Sequence, residues 1–243
     1  MIRVGVLGHT GNMGAETCRA VEDDGELELV ARIGSGDELA ELKSARADVA
    51  VDFTTPNAVK DNVLWCLGNG IRAVVGTTGL SAKDLEDIAV AADAGETAAF
   101  VAPNFALGAV LMMKFAAQAA PYYDAAEIIE RHHTKKADAP SGTALRTASL
   151  MNEARKEGWT ASVGSETLTG ARGGDADGVH IHSLRLSGSV AHHEVIFGGV
   201  GETLTIRHDS LDRSSFMPGV VLAIKKVREL NGLVVGLENL LDL

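Results

Sequence analysis

The first hundred residues are built on apolar runs that show almost no polar alternation. "IRVGVLG" (2–8), "LELVARI" (27–33), "ADVAVDFT" (47–54), "RAVVGTTG" (72–79) and "AAFVAPN" (98–104) are short and nearly continuous. A strand with one face in water alternates, whereas a strand buried on both faces does not. Spans of helical spacing separate the runs. Met13, Cys18 and Val21 recur through 13–23, and Val59, Val63, Leu64 and Leu67 through a helix that stops at Gly68 to Gly70. Ser81 is placed to cap a further helix, with Asp84 three residues on at the positive end of its dipole. This succession predicts parallel strands joined by helical crossovers, and the handedness of such crossovers makes the array doubly wound.

After Asn104 the rhythm changes. An apolar helix rich in Ala and Met is predicted over 106–120, then a strand over "AAEIIERHH" (125–133) and a helix over 142–157 ended by Gly158. A polar, glycine-rich stretch fills 158–178, which is either ordered or a closing loop. Three β-like runs follow without helices between them, over 180–186, 192–199 and 202–209. That pattern predicts a second, α+β domain with an antiparallel or mixed sheet. A helix opened by Pro218 and the run "LVVGL" then return to α/β material. The expected division is 1–104, completed by 213–243, with 105–212 as the second domain; 243 residues suffice for two modest domains.

Composition narrows the function classes. The formal net charge is −11, spread along the chain, so nucleic acid is a poor partner. No apolar run approaches the ~18 residues of a membrane span. The N-terminus enters a strand at once, without signal-peptide anatomy. Cys18 and Cys66 sit in helical segments, and no CxxC or Cys/His zinc spacing occurs. Buried free thiols and a cytoplasmic location are expected.

Gly8, Gly11 and Gly14 stand between the first strand and the first helix, spaced G-x-x-G-x-x-G. Glycines here let the backbone turn tightly and approach a pyrophosphate, whose charge the helix N-terminus stabilises. The usual dinucleotide fingerprint differs by one residue, so the trio gains its weight from its place after an apolar strand. A Rossmann-like domain binding NADPH or NADH is the expectation. Gly76, Thr77 and Thr78, and Ala102 to Phe105, end later strands, where open α/β sheets hold their ligands. The carboxylate expected about 20 residues on, for the ribose, is not obvious. Its slot holds Gly34 or Ser35, with Arg32 nearby. That leans towards tolerance of a 2′-phosphate, with Asp37 as a group that could swing in.

The stretch "EIIERHHTKKADAPSGTA" (127–144) gathers two of the chain's 8 histidines. Strand alternation sends His132 and His133 to opposite faces, or places them where the strand ends, so they do not easily chelate one metal. Pro140 biases Ala139 to an extended conformation, and Ser141 can then cap a helix starting near Gly142 and Thr143. Free N–H groups at that end bind an anion such as a carboxylate, with Lys136 adding a point charge. Two proton carriers, an ammonium and an anion cradle suit a small carboxylate substrate that needs a proton. A solvated basic turn is the bland alternative. A metal held by His180, His182, His192 and His193 is another, although no ligand motif of known spacing joins them.

Taken together, "VGVLGHTGNMG", "DFTTP", "VVGTTG", "APNFALG", "ERHHTKKADAPSGTA" and "RHDSLDRSSF" resemble the dihydrodipicolinate (4-hydroxy-tetrahydrodipicolinate) reductase family, in order and over essentially the whole chain. The resemblance implies reduction of a cyclic imine dicarboxylate by NADPH or NADH in the diaminopimelate route to lysine. It implies that His132 is the proton donor/acceptor, Lys136 a second proton donor and His133 a substrate contact. Gly142 and Thr143 would hold a substrate carboxylate. Gly8, His9, Thr10, Gly11, Asn12 and Met13, then Gly76, Thr77 and Thr78, then Ala102, Pro103, Asn104 and Phe105 would contact the coenzyme. The first domain would bind the dinucleotide, the second would bind substrate and build a homotetramer, and a closing motion would join them. Gly34 departs from the family, which often carries an acid there. The rivals are a semialdehyde dehydrogenase, which needs a catalytic cysteine, and a nucleotide-binding redox sensor without turnover.

Overall fold

A computed structural model describes residues 1–160 and 165–241. Residues 161–164, within the glycine-rich stretch, and 242–243 lie outside the described residues. The chain divides into two compact units, Met1–Leu107 with the chain from Arg213 onward, and Gly108–Asp212.

The first unit holds β1 (Ile2–Leu7), α1 (Asn12–Asp23), β2 (Leu27–Ile33), α2 (Ala40–Ser44), β3 (Val49–Asp52), α3 (Val59–Gly68), β4 (Arg72–Val75), α4 (Ala82–Ala94) and β5 (Ala98–Val101). α5 (Leu107–Ala119) leads into the second unit. The second unit's sheet is made of β6 (Ala125–His132), β7 (Gly174–Ala176), β8 (Val179–Arg185), β9 (Ala191–Gly199) and β10 (Glu202–Ser210), with α6 (Gly142–Ala154). α7 (Met217–Lys226) and β11 (Gly232–Val235) return to the first unit.

The first sheet has six strands in the order β11-β5-β4-β3-β1-β2, and every pairing is parallel. β3 and β5 are buried at every position, which requires cover on both faces and explains their unbroken apolar runs. Val63 and Leu67 of α3 and Ile88 and Ala92 of α4 pack with Ala73, Val75, Ala99 and Val101. Ser81 caps α4 through a reciprocal pair with Asp84, as the spacing predicts. The strands end earlier than the apolar runs, because the segments after β3 and β4 turn back onto the Asp52 carboxylate.

The second sheet runs β10-β9-β6-β8-β7, with β6 and β8 parallel and the other pairs antiparallel. It is therefore mixed. α6 ends at Ala154 rather than near Gly158. Arg155 leaves the helix to donate to the carbonyls of Ala120 and Tyr123, and its guanidinium stacks 4.7 Å from the Trp159 ring centroid. Those interactions offset the helical turn lost.

The β1–α1 turn shows why glycine is required at two of its three positions. Gly8 has φ +79, a left-handed conformation, and an added Cβ would lie 2.4 Å from the Phe53 carbonyl oxygen. A Cβ on Gly14 would lie 2.1 Å from the Gly8 carbonyl oxygen. Gly14→Ala is therefore expected to lower the unfolding free energy by about 2 kcal/mol in urea denaturation. Gly142→Ala, where a Cβ meets nothing within 4 Å, is expected to stay within about 0.5 kcal/mol.

Candidate active site

Within the second unit, β6 alternates strictly, with Ala126, Ile128, Glu130 and His132 buried and the residues between them only partly so. Glu130 is fully buried. A carboxylate in that position must be paired and hydrogen-bonded throughout. β8 runs parallel to β6 and brings Arg185 beside it, and its guanidinium donates through Nη1 and Nη2 to the two carboxylate oxygens at 2.9 Å each. The Ser141 N–H donates to Oε1 at 3.2 Å, and the Nδ1 of His132 makes a very short contact with Oε2. Burial pushes Glu130 upward, but the hydrogen bonds from Arg185, Ser183 and His132 outweigh it and hold the carboxyl below its ordinary range. Glu130 is thus ionised. It accepts from Nδ1–H, which leaves Nε2 of His132 as the nitrogen open to proton exchange.

Burial lowers the affinity of His132 for a proton, and the positive charges of Lys136 and Arg185 add to that. The Glu130 carboxylate opposes both, and the result stays below the ordinary value. His132 therefore rests neutral at pH 7, backed by a group built to stabilise its imidazolium. His193 crosses it edge-on, with ring centroids 5.4 Å apart. Its Nε2 lies 3.5 Å from Ser141 Oγ, and its Nδ1 is buried without a partner. His133, one residue past the strand, is exposed. The two adjacent histidines thus separate because the strand ends between them.

The loop from His133 to Pro140 turns at Lys136, whose N–H donates to the His133 carbonyl at 3.1 Å. The Lys136 ammonium pairs with Asp138 at 2.8 Å. Arg185 reaches the Asp138 carbonyl and holds the loop to the sheet. Ser141 then caps α6, its Oγ accepting from the Ala144 N–H at 3.2 Å. The helix has no acidic residue in its first turn. Its N-terminus at Gly142 and Thr143 keeps the partial positive charge that attracts a carboxylate.

Within the first unit, a cavity of about 370 Å³ lies where β1 and β3 send their connections in opposite directions, the switch point at which such sheets bind ligands. Gly8, Thr10, Gly11, Gly34, Ser35, Asp37, Thr54 and Thr55 are among its lining residues. Gly11 caps α1, which also lacks an acid in its first turn. A glycine turn, a helix start without an acid and a neighbouring slot fit a dinucleotide. Buried Asp52 arranges the next loops. It accepts from the Thr54 N–H (2.9 Å), Thr54 Oγ1 (2.7 Å), Thr77 Oγ1 (2.6 Å) and Asn62 Nδ2 (2.8 Å). The Thr77 hydroxyl is therefore engaged with the protein itself.

Over residues 2–105 and 108–241 the sequence matches, respectively, the N-terminal and C-terminal families of dihydrodipicolinate reductase. The chain belongs to the dihydrodipicolinate reductase family. It is 54% identical over 245 residues to the 4-hydroxy-tetrahydrodipicolinate reductase of Mycobacterium marinum, covering all of both chains. It is 52% identical over 246 residues to that of Nocardia farcinica, covering 100% of this chain and 99% of the relative. The solved dipicolinate-bound dihydrodipicolinate reductase of Paenisporosarcina sp. TG-14 superposes with a TM-score of 0.91 at 41% identity, over 99% of this chain and 100% of that one. An amine dehydrogenase from Mycobacterium smegmatis, at 13% identity and TM-score 0.65, covers 96% of this chain and 94% of its own and shares the fold.

Of the residues expected to contact the coenzyme, Gly8, Thr10 and Gly11 line the first unit's cavity. His9, Asn12 and Met13 belong to the same turn and helix start. Gly76, Thr77 and Thr78, and Ala102, Pro103, Asn104 and Phe105, follow β4 and β5 at the same edge of the sheet but do not line that cavity. Arg32 pairs with Glu22 of α1, and it is not among the cavity's lining residues. Neither cysteine is a nucleophile: both are buried, and burial pushes the Cys66 thiol up to about 12. Of the other histidines weighed for a metal, His182 pairs with Glu127 at 2.8 Å and His192 with Asp209 at 2.6 Å, while His193 faces His132. Glu130, Arg185, His193 and Asp52 are the groups that sequence reasoning missed as functional. A buried acid inside an alternating strand, two residues before His132, was the available signal for Glu130.

Burial holds the buried His193 down to about 4, against an ordinary 6.5. The unfolded chain then binds the extra proton, so stability falls as pH drops from 6.5 towards 4. Between pH 7 and pH 5 this group is expected to remove about 2 kcal/mol. Urea midpoints at the two pH values should show a smaller loss in His193→Gln than in the wild type.

Proposed function

We propose that this protein reduces 4-hydroxy-2,3,4,5-tetrahydrodipicolinate to tetrahydrodipicolinate with NADPH or NADH, in the diaminopimelate route to lysine. One observation carries the reading. A buried histidine backed by an ionised carboxylate sits on the strand that leads into an open helix N-terminus, in a chain 54% identical throughout to a reductase of that name.

In this reading the first unit holds the coenzyme. Gly8, His9, Thr10, Gly11, Asn12 and Met13 would hold the pyrophosphate, and the loops at 76–78 and 102–105 would contact the nicotinamide portion. The second unit, Gly108–Asp212, holds the substrate. When bound, the reduced nicotinamide supplies a hydride to the conjugated carbon left after loss of water. Negative charge then moves to the ring nitrogen and must be quenched by a proton. His132 delivers that proton from Nε2, while Glu130 on Nδ1 stabilises the imidazolium that precedes delivery. The two substrate carboxylates offset the positive charge of Lys136 and Arg185 and so favour that imidazolium in the complex. Lys136 acts as second proton donor, His133 contacts the substrate, and Gly142 and Thr143 receive one carboxylate at the helix start. The face of the second sheet that carries Glu127, Ile129, Glu194 and Ile196 is the surface proposed for a homotetramer. A cytoplasmic location accords with the buried free thiols.

Consumption of NADPH or NADH with enzymatically generated substrate tests the reading, since a nucleotide-binding sensor would bind coenzyme without turnover. His132→Ala and Lys136→Ala are each expected to lower kcat by about 10²–10⁴-fold while coenzyme binding survives. Unchanged turnover in both would overturn the site assignment. The protonated form of His132 donates, and the free group titrates below 6.5. The logarithm of kcat/KM is therefore expected to fall as pH rises through a midpoint below that value, and a pH–rate profile measures it.

A further inference from the structure

The adenosine end of the coenzyme cavity holds a feature that family membership does not supply. β2 ends at Ile33 and is followed by Gly34, which has no side chain where dinucleotide folds place a carboxylate for the ribose 2′-hydroxyl. The space beside Gly34 is already taken. A Cβ added there would lie 3.3 Å from Asp37 Oδ2 and 3.3 Å from His9 Nε2. The turn from 34 to 37 folds the Asp37 carboxylate back, and the Gly34 N–H donates to Oδ2 at 2.8 Å. Gly36, at φ +109, permits that turn. Asp37 lines the cavity together with Gly8, Thr10, Gly34 and Ser35.

The charges of the cavity point the same way. Among the described residues, no lysine or arginine lines it, and Asp37 is the only charged residue that does. Arg32, the nearest cation in sequence, is paired with Glu22. A carboxylate accepts hydrogen bonds from ribose hydroxyls, whereas a 2′-phosphate has no proton to offer and brings like charge.

We propose that Asp37 replaces the missing strand-end acid, receives the adenosine ribose hydroxyls and makes this protein prefer NADH to NADPH. The proposal rests on reading the first unit's cavity as the coenzyme site. Its energetic basis is one charge-assisted hydrogen bond gained with NADH and one repulsion incurred with NADPH.

Titrating the full-length protein with NADH and with NADPH, followed by nicotinamide fluorescence and without substrate, tests it. The wild type is expected to bind NADH about tenfold more tightly than NADPH. Asp37→Asn keeps an oxygen for the Gly34 N–H but removes the charge. It is expected to weaken NADH about tenfold, leave NADPH no weaker and bring the two dissociation constants within about threefold of each other. Asp37→Ala should give the same loss of preference with a further weakening from the freed turn. Wild-type preference for NADPH, or an Asp37→Asn variant that keeps the wild-type ratio, would overturn the role of Asp37 alone. Failure of the wild type to bind either coenzyme would overturn the coenzyme site itself, and this proposal with it.

Discussion

The candidate site depends on the enclosure of one carboxylate. Glu130 has no exposure, and desolvating a carboxylate costs several kcal/mol unless its oxygens are fully engaged. The donors that engage it come from separate parts of the second unit: Arg185 from β8, the Ser141 N–H from the start of α6, and His132 from the end of β6 itself. Satisfying that charge therefore fixes three elements against one another. It also sets the His132 tautomer and aims the N-terminus of α6, so the proposed proton carrier and the proposed anion cradle share one anchor. Removing a single partner from such a group would typically cost about 3–5 kcal/mol.

The first unit uses the same device at its own ligand edge. Asp52, at the end of β3, draws in the hydroxyls of Thr54 and Thr77 and the amide of Asn62. The loops after β3 and β4 are thereby fixed beside the glycine turn, and the apolar runs stop short as strands. In both units a buried acid at or near a strand end is spent on shaping loops, which leaves the neutral or positive groups at those loops to meet an anionic ligand.

Much of the fold was legible because its signals are local. Strands buried on both faces leave unbroken apolar runs, Ser81 and Asp84 write a helix start, and Ser141 writes another. The separation of His132 from His133 follows from the end of the strand, one of the two arrangements that the sequence allows. The groups that complete the site were hidden by distance along the chain. Arg185 reaches Glu130 because β8 is parallel to β6, a pairing that no local pattern in 125–185 declares. His193 reaches His132 through the antiparallel neighbour β9. Arg32 shows the same limit: its position in sequence does not declare that α1 presents Glu22 to it. The end of α6 was misplaced because Arg155 gains more from two carbonyls and an indole than from another helical turn.

The ionised Glu130 holds His132 as the Nδ1–H tautomer and supports its imidazolium. Nitrogen-15 NMR of the His132 ring across a pH titration, in the wild type and in Glu130→Gln, tests this most directly. The wild type should show a protonated Nδ1 and a bare Nε2 at pH 7, titrating below 6.5. Glu130→Gln should move that titration to still lower pH, because the opposing carboxylate is gone. An Nε2–H tautomer in the wild type, or a titration that Glu130→Gln leaves in place, would contradict the account.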